Sequence, residues 1–388
     1  MTQIDLPLLR TSERKDFKRC PQRWWWSWRD GLRPAKQKHG ALWFGTGIHL
    51  ALEKWYVPGK ERGRDPVLTW REFVGEQVEF IKVQIENGDA PEGAQTIWVE
   101  AGELGEAMLR NYIDEYGLDE DWEVLAVELP FEVKIARPGT REAIVTYAGT
   151  FDLVAREIST GKVYLWDHKT AKSIQTGHLR LDDQAGSYWA LANVILRKMG
   201  IIGKREMIHG IVYNFVMKSP PDERPRNEAG LYCNQPKKEN FVAALCQFER
   251  DGERFSDEEG YANSRAEWEK TSLAKLKDIA AEYGLEVLGE PAKTQPAKRF
   301  KRMVVERTRS EQKSQIERIG AEALVMEMFR DGTLPLIKNP TKDCQWDCDY
   351  RDLCELDENG GDTEEYISLV FKQEDPYAAH RLHDESES

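Results

Sequence analysis

The stretch that most constrains the fold covers residues 147–170, with the sequence YAGTFDLVAREISTGKVYLWDHKT. Residues 145–155 and 162–168 are rich in β-branched and aromatic side chains, as strands are. Residues 159–161 between them, Ser-Thr-Gly, have the chemistry of a tight turn. The pattern therefore predicts an antiparallel β-hairpin around which the rest of the chain must pack.

The predicted hairpin presents three charged residues on one face. A turn centred at residue 160 places Asp152 opposite Asp167, and opposite residues have Cβ atoms about 4.5–5.5 Å apart. Lys169 follows Asp167 by two residues, so it projects from the same face. Two carboxylates this close repel each other unless a cation lies between them, and hard oxygen ligands suit Mg²⁺ or Mn²⁺. The alternative is an ordinary hairpin whose charged side chains face water.

Composition indicates a globular protein. The 388 residues are 40% hydrophobic and 32% charged, and no apolar run reaches membrane-spanning length. Residues 1–10 lack the apolar region of a signal peptide, so the cytoplasm is the expected compartment.

Charge is distributed unevenly along the chain. The net charge is −13, of which residues 355–388 hold −9, whereas residues 10–38 carry +7 and residues 298–309 carry +5. These basic runs predict either phosphate-contacting patches or solvated faces. No G-x-x-x-x-G-K-[ST] sequence occurs, which excludes a P-loop motor within this chain.

Three cysteines, Cys344, Cys348 and Cys354, lie close together in the sequence CQWDCDYRDLC. A cytoplasmic protein of this size has no need of disulfides, so thiolates at this spacing indicate a metal site. Three ligands leave a fourth to be found, and Cys20 in the sequence RCPQR is the candidate. A site that joins Cys20 to Cys344 would close a very long loop and contribute strongly to folding.

Hydrophobic periodicity predicts helices and strands outside the hairpin. Helices are predicted at 12–18, 21–28, 41–56, most of 65–117, 179–199, most of 241–284 and 310–330, and strands at 122–135, 206–217 and 298–305. The second helix contains four tryptophans, for which packing is the favoured interpretation and base stacking the alternative, namely Trp24, Trp25, Trp26 and Trp28.

The sequence GTFDLV followed by WDHKT resembles the core of the PD-(D/E)XK nuclease superfamily, with residues 167–169 as its (D/E)XK element. The G-x-x-x-H pattern that ends at His49 resembles the metal-binding histidine of the RecB-like branch. Gln184 and Tyr188, four residues apart on one helix face, match the Q-x-x-x-Y motif of that branch, which implies contact with the substrate strand. The alternative is a chance pair on a polar helix face.

The resemblance implies an α/β fold, a restriction-endonuclease-like core with a mixed sheet flanked by helices, that hydrolyses phosphodiesters with a metal. Mg²⁺ or Mn²⁺ would be bound by His49, Asp152, Asp167 and the backbone carbonyl of His168. Lys169 would position the attacking water or help to deprotonate it. The family often has a further glutamate on the preceding strand, and Glu128 has that place, although a solvent-facing glutamate is the favoured interpretation.

One cysteine near the N-terminus and three near the C-terminus resemble the iron–sulfur clasp of the CRISPR-associated RecB-like and AddB-type exonucleases. Their usual spacing is x₂ and then x₅, whereas this chain has x₃ and then x₅. A [4Fe–4S] cluster is therefore expected at Cys20, Cys344, Cys348 and Cys354, with Zn²⁺ as the alternative.

The expected organisation is a single nuclease domain over residues 1–356, followed by an acidic tail, 357–388, for which disorder is one interpretation. The domain parts are a core at about 39–217, a helical insertion at about 240–335 and cluster segments at 11–30 and 340–356.

The resemblance implies a DNA exonuclease that acts on single-stranded ends, in recombination, repair or a phage DNA process, in a bacterial host or encoded by a phage. A helicase or a recombination protein is the candidate partner. Two alternatives stay open, a non-cleaving DNA-binding module of nuclease fold and an RNA-processing endonuclease. The presence of Asp152, Asp167 and Lys169 argues against the first, because an inactive descendant is free to lose them.

Overall fold

The computed structural model describes residues 6–35, 41–86, 93–220, 222, 224–252, 257–295 and 298–378. It divides into two compact units, Met1–Ser219 together with Arg299–Ser388, and Pro220–Lys298. The first unit is a mixed sheet flanked by helices, which confirms the predicted fold class.

The strands of the described residues are β1 (Leu8–Leu9), β2 (Leu32–Pro34), β3 (Trp122–Ala136), β4 (Ala143–Glu157), β5 (Val163–Ala171), β6 (Ile208–Met217), β7 (Phe300–Glu306) and β8 (Phe371–Gln373). The long strand β4 organises the main sheet, because β3 pairs with it antiparallel along most of its length. On its other edge, β1 pairs parallel with the first half of β4 and β5 pairs antiparallel with the second half. The sheet continues from β5 to parallel β6 and then to antiparallel β7.

The α-helices of the described residues are α1 (Thr11–Arg19), α2 (Pro21–Trp24, continued by the π-helical turn Trp25–Arg29), α3 (Ala41–Trp55), α4 (Pro66–Glu86), α5 (Ala94–Tyr116), α6 (Asp183–Lys198), α7 (Lys238–Asp251), α8 (Glu258–Lys270), α9 (Leu273–Glu282), α10 (Arg309–Arg330), α11 (Cys344–Asp347), α12 (Arg351–Glu358) and α13 (Thr363–Val370). Side-chain capping determines where several helices begin. The Asp182 side chain caps α6, and Thr308 and Glu311 form a capping box at α10. None of the described helices is long and apolar enough to cross a bilayer.

The main sheet has a hydrophobic core on each face. On one face, Phe151 and Leu165 of the sheet pack with residues of α6 and α10 such as Trp189 and Ile319. On the other face, sheet residues such as Trp166 pack with α3, α4 and α5. Their aromatic residues include Trp43, which stacks on Trp98 with ring centroids 4.0 Å apart, and Trp70. Because both faces are covered, most residues of the hairpin strands β4 and β5 are buried and the others are half-buried.

The two ends of the first unit lie together. Strands β2 and β8 pair antiparallel, and the Tyr350 hydroxyl donates to the Leu32 carbonyl oxygen at 2.7 Å. The Tyr377 hydroxyl donates to Glu13 Oε2, also at 2.7 Å. Residues 357–378 of the acidic segment are thus folded and not disordered, because Phe371 and Tyr377 anchor them to the N-terminal segment. Residues 379–388 lie outside the described part of the chain.

The second unit, Pro220–Lys298, contains α7, α8 and α9 around a small core that includes Leu245 and Leu276. The predicted insertion extends further, to about residue 335, but β7 and α10 belong to the first unit. Strand β7 pairs with β6, and Ile319 of α10 is fully buried in the main core. Strand β7 forms its hydrogen bonds in the main sheet and α10 buries its apolar face in the main core, so the second unit both begins and ends earlier in the sequence than the predicted insertion.

A pair of helix glycines tests the packing of α4 against α5. A Cβ on Gly105 of α5 would collide with the indole ring of Trp70, whereas a Cβ on Gly75 of α4 would meet nothing within 4 Å. We expect Gly105→Ala to lower the free energy of unfolding by about 1–3 kcal/mol through overpacking. Gly75→Ala, the matched control, should raise it by up to about 1 kcal/mol through helix propensity. Urea denaturation of both variants measures this difference, and equal values would contradict the packing described.

Candidate active site

Asp152 and Asp167 lie where β4 and β5 part from each other. The last ladder pair of these strands is Leu153 with Trp166. Beyond it, the backbone N–H of His168 on β5 donates to Asp152 Oδ2 at 3.0 Å. The side-chain carboxylate thus takes the place of a backbone carbonyl oxygen of β4 as the hydrogen-bond acceptor. The hairpin prediction is confirmed, and its register brings the two carboxyl groups to the same point.

His49 reaches this point from α3, which packs against the sheet. Its Nε2 lies 2.9 Å from the carbonyl oxygen of His168, and its Nδ1 lies 3.6 Å from Asp152 Oδ2. The structure therefore brings together His49, both aspartates and the His168 backbone, as the family resemblance implies.

Glu128 completes this group from β3, directly opposite Asp152. Its neighbours Val127 and Leu129 pair with Leu153 and Phe151, but Glu128 itself has a backbone φ of +41°. A side chain in this left-handed region costs about 1–3 kcal/mol, and such strain concentrates at functional sites. With this backbone conformation, the Glu128 carboxylate lies 3.9 Å from His49 Nδ1. Glu128 therefore faces the site, against the favoured sequence interpretation of a solvent-facing residue.

The donor set fits a hard divalent cation. One ligand atom each from His49, Glu128 and Asp152 lies within 4.8 Å of the others. The His168 carbonyl oxygen is in contact with the same histidine ring, and carboxylate and carbonyl oxygens with one imidazole are suitable ligands for Mg²⁺ or Mn²⁺. Asp167 lies beside this set and pairs with Lys169, with Nζ 2.9 Å from Oδ2.

The ionisable groups of the site have strongly perturbed pKa values. Burial raises the pKa of Asp152 and, with the charge of Asp152, raises the pKa of Asp167 to about 6. Burial lowers the pKa of His49, but the hydrogen bond to Glu128 and the charge of Asp152 outweigh it and raise that pKa to about 9. Burial likewise opposes protonation of Lys169, yet Asp167 raises its pKa. The site thus concentrates negative charge that a cation would stabilise.

The side chain of His168 points away from the candidate metal ligands into a buried polar network. Its Nδ1 accepts a hydrogen bond of 2.8 Å from Asn214, because the amide nitrogen can only donate. Asn214 also donates to the Tyr112 hydroxyl at 2.9 Å and accepts from Arg302 Nε at 3.3 Å. Arg302 donates to both carboxylate oxygens of Asp119 at 2.6 Å. The network therefore fixes the imidazole from behind, while the His168 backbone faces Asp152 and His49.

Gln184 and Tyr188, the predicted substrate contacts, both lie on α6. The Tyr188 ring packs edge-on against Phe131 and Phe151, with centroids 5.3 and 5.8 Å away. Tyr188 also lies over Gly149, where an added Cβ would fall 2.8 Å from the tyrosine oxygen. It lines a small cavity together with Asp152 and Asp167, so it borders the two carboxylates.

The four predicted cluster ligands line one cavity of about 980 Å³, formed by the start of α2 and residues 336–358. The backbone N–H of Asn339 donates to Cys20 Sγ at 3.4 Å, and that of Thr341 donates to Cys344 Sγ at 3.3 Å. Burial raises the pKa of the Cys348 and Cys354 thiols, while Arg23 and Lys338 respectively oppose this effect. The structure thus brings Cys20 to the same place as the other three cysteines, which lie more than 300 residues later in the sequence.

Sequence reasoning missed the residues of the polar network. Asn214 is a fully buried polar residue in the otherwise apolar β6, and this departure was the available signal. Arg302 lies in the basic run 298–309, and the sequence does not distinguish it from the other basic residues of that run. Asp119 has no signal of its own, because a turn aspartate is common.

The fold and the site together define a class of protein. A lysine paired with a carboxylate, next to residues that could hold a cation at the parting of two strands, suits the cleavage of phosphate esters. Ammonium and metal charges both stabilise the negative charge that develops on phosphate. An enzyme that hydrolyses phosphate esters is the class that this geometry indicates.

Sequence comparison then shows the family. A model of the PD-(D/E)XK nuclease superfamily matches residues 11–355, and the chain belongs to that superfamily. The predicted resemblance to this superfamily is thereby confirmed. The assignment of residues 167–169 as the (D/E)XK element and the RecB-like branch stay predictions. A search of curated proteins finds no significant match.

The polar network predicts a remote effect on metal binding. Asn214→Leu removes the donor to His168 and leaves buried groups unpaired, so the free energy of unfolding should fall by about 1–3 kcal/mol. Loss of the group that orients a ligand residue should weaken Mn²⁺ affinity by about 10–100-fold. Calorimetric titration with Mn²⁺ measures this affinity.

The control for Asn214→Leu is Asn193→Leu. Asn193 accepts a hydrogen bond from the Ile208 backbone N–H at the opposite end of β6, at 2.9 Å. Its loss should lower stability without changing Mn²⁺ affinity. Unchanged Mn²⁺ affinity in Asn214→Leu would show that the network serves stability alone.

Proposed function

We propose that this protein is a metal-dependent deoxyribonuclease of the RecB-like branch that degrades single-stranded DNA from an end. The observation that carries the proposal is the convergence of Asp152, Asp167 and Lys169 beside the His49 imidazole. Membership of the nuclease superfamily supports phosphodiester hydrolysis. The G-x-x-x-H and Q-x-x-x-Y patterns support the branch, and with it the DNA substrate.

The residues of the site have distinct roles in this mechanism. His49, Glu128, Asp152 and the His168 carbonyl would hold Mg²⁺ or Mn²⁺, with Asp167 as a further oxygen ligand. When bound, the cation would act as a Lewis acid that neutralises charge on the scissile phosphate and activates water. Lys169, held by its ion pair with Asp167, donates from Nζ to the attacking water or to a phosphate oxygen and so orients the reacting groups.

Gln184 and Tyr188 would contact the substrate strand from α6. Tyr188 is close enough to the carboxylates to share a cavity wall with them, and its ring is held rigidly by Phe131 and Phe151. A fixed aromatic ring beside the reacting phosphate restricts where the strand can lie. The proposed setting is the cytoplasm, in recombination, repair or a phage DNA process, where a helicase or recombination partner would supply single strands.

The cysteine cavity supports a structural [4Fe–4S] cluster. The four thiols share one cavity, and backbone N–H groups donate to two of the sulfurs, as they do around iron–sulfur centres. The proposed role is to join the N- and C-terminal segments.

Asp167→Asn should reduce Mn²⁺-dependent hydrolysis of end-labelled single-stranded DNA by a factor of about 10² or more, because a metal ligand and the partner of Lys169 are lost together. Circular dichroism should show an unchanged fold. Gel analysis of the labelled products measures the rate, and the position of the label gives the polarity.

The control for Asp167→Asn is Asp183→Asn, which removes a carboxylate that pairs with Arg14 and Lys18 on α1. It should retain near wild-type hydrolysis. Full activity in Asp167→Asn would contradict the proposal. Faster cleavage of RNA than DNA by the wild type would favour an RNA-processing endonuclease, and DNA binding without any cleavage would favour a non-cleaving module.

Anaerobically purified protein should be brown, with broad visible absorption that Cys348→Ser abolishes. Cys233→Ser is the matched control, because Cys233 is buried in the second unit and should leave the colour unchanged. Absorption spectra and iron and sulfide analysis measure the outcome. Colourless protein with stoichiometric zinc would replace the cluster with a zinc site.

A further inference from the structure

Three basic residues lie at one edge of the main sheet, where β5 and β6 end and β7 begins. They are Lys172, Lys218 and Arg299, which we call the basic edge. The backbone N–H of Lys218 donates to the Ala171 carbonyl oxygen at 2.7 Å, and the N–H of Met217 donates to the Arg299 carbonyl oxygen at 2.8 Å. These two bonds continue the sheet and hold the three residues on adjacent strands.

The basic edge has no acidic partner among the residues that the structure describes. Elsewhere in this acidic chain, cations such as Arg14 and Arg156 each pair with two carboxylates. Burial lowers the pKa of Lys218, and the neighbouring charge of Lys172 lowers it further. Like charges held together without a counterion are stabilised when an external anion binds.

The basic edge adjoins the candidate active site. Lys172 follows Lys169 by three residues, about 10 Å along the same strand direction. Lys218 Nζ lies 4.6 Å from the centroid of the Phe44 ring, which belongs to α3. Phe44 precedes His49 on that helix by five residues, a rise of about 7.5 Å. Lys172 and Lys218 are therefore close enough to reach the phosphates that neighbour one held at the candidate metal ligands, and Arg299 lies on the strand next to Lys218.

We infer that the basic edge binds the sugar-phosphate backbone of the substrate strand as it leaves the active site over the ends of β5 and β6. Contacts from lysine and arginine to phosphates position a strand without reading its sequence. The inference rests on the proposed nuclease function and adds the path of the strand. The inference assigns Arg299 of the basic run 298–309 to substrate binding and two other arginines of that run to structural contacts. Arg302 is in the buried network, and Arg307 donates to the Leu179 carbonyl oxygen.

The test is the salt dependence of DNA binding. The triple variant Lys172→Gln, Lys218→Gln and Arg299→Gln keeps long side chains, so packing against Phe44 is retained. Binding of a fluorescent single-stranded oligonucleotide is measured in EDTA, which prevents hydrolysis, over a range of salt concentrations. Three lost phosphate contacts should make the slope of log K against log salt shallower by about 2, because each contact contributes about 0.7.

The matched control removes three cations that each pair with a glutamate on their own helix, Lys82, Arg110 and Lys313, also by substitution with Gln. Its net charge equals that of the test variant, and its slope should match the wild type. Equal slopes in all three proteins, or equal loss in both variants, would overturn the inference. Wild-type hydrolysis is measured in parallel, because a protein that never cleaves but shows the expected slopes would refute the nuclease function and leave the basic edge intact.

Discussion

The repulsion between Asp152 and Asp167 is the constraint on which the arrangement of this molecule depends. Burial makes both carboxylates costly to ionise, as the raised pKa values show. The protein offsets the cost with one backbone N–H, one ammonium group and one imidazole, from His168, Lys169 and His49. These groups come from a strand end and a helix packed on it, so the site can exist only where β4 and β5 part. The two hydrophobic cores hold the strands in that position.

The same constraint explains why polar groups penetrate the core on the α3 side. The position of a backbone carbonyl cannot be adjusted by a side-chain rotamer, so the His168 carbonyl beside His49 depends on how the rest of the residue is held. His168 is held by Asn214, and Asn214 by Arg302 and Tyr112. The Arg302 guanidinium also lies 3.6 Å from the centroid of the Tyr116 ring. Such a buried network is stabilising only when every member is satisfied, which ties β5, β6 and β7 into one unit.

Much of this arrangement follows from the sequence, because it depends on local patterns. The turn at 159–161 sets the register of the hairpin, and the register sets the approach of the two aspartates. Other features depend on contacts between distant residues. The positive φ of Glu128 departs from regular strand geometry, so strand alternation does not predict where its side chain lies. The folded state of residues 357–378 depends on the pairing of β8 with β2. The net charge of −9 over residues 355–388 bears on solubility, but it does not reveal that β8 in this segment pairs with the distant strand β2.

The pairing of β2 with β8 has a consequence for how the protein is made. During synthesis, the segment that contains Cys20 and β2 leaves the ribosome more than 300 residues before its partners around Cys344 and β8. Trp26 and Leu32 share their small core with Tyr350, Leu353 and Phe371, so this apolar surface stays uncovered until the later segment has been translated. A chain that stops between the two segments therefore carries an exposed aromatic surface that quality-control proteases and chaperones can recognise.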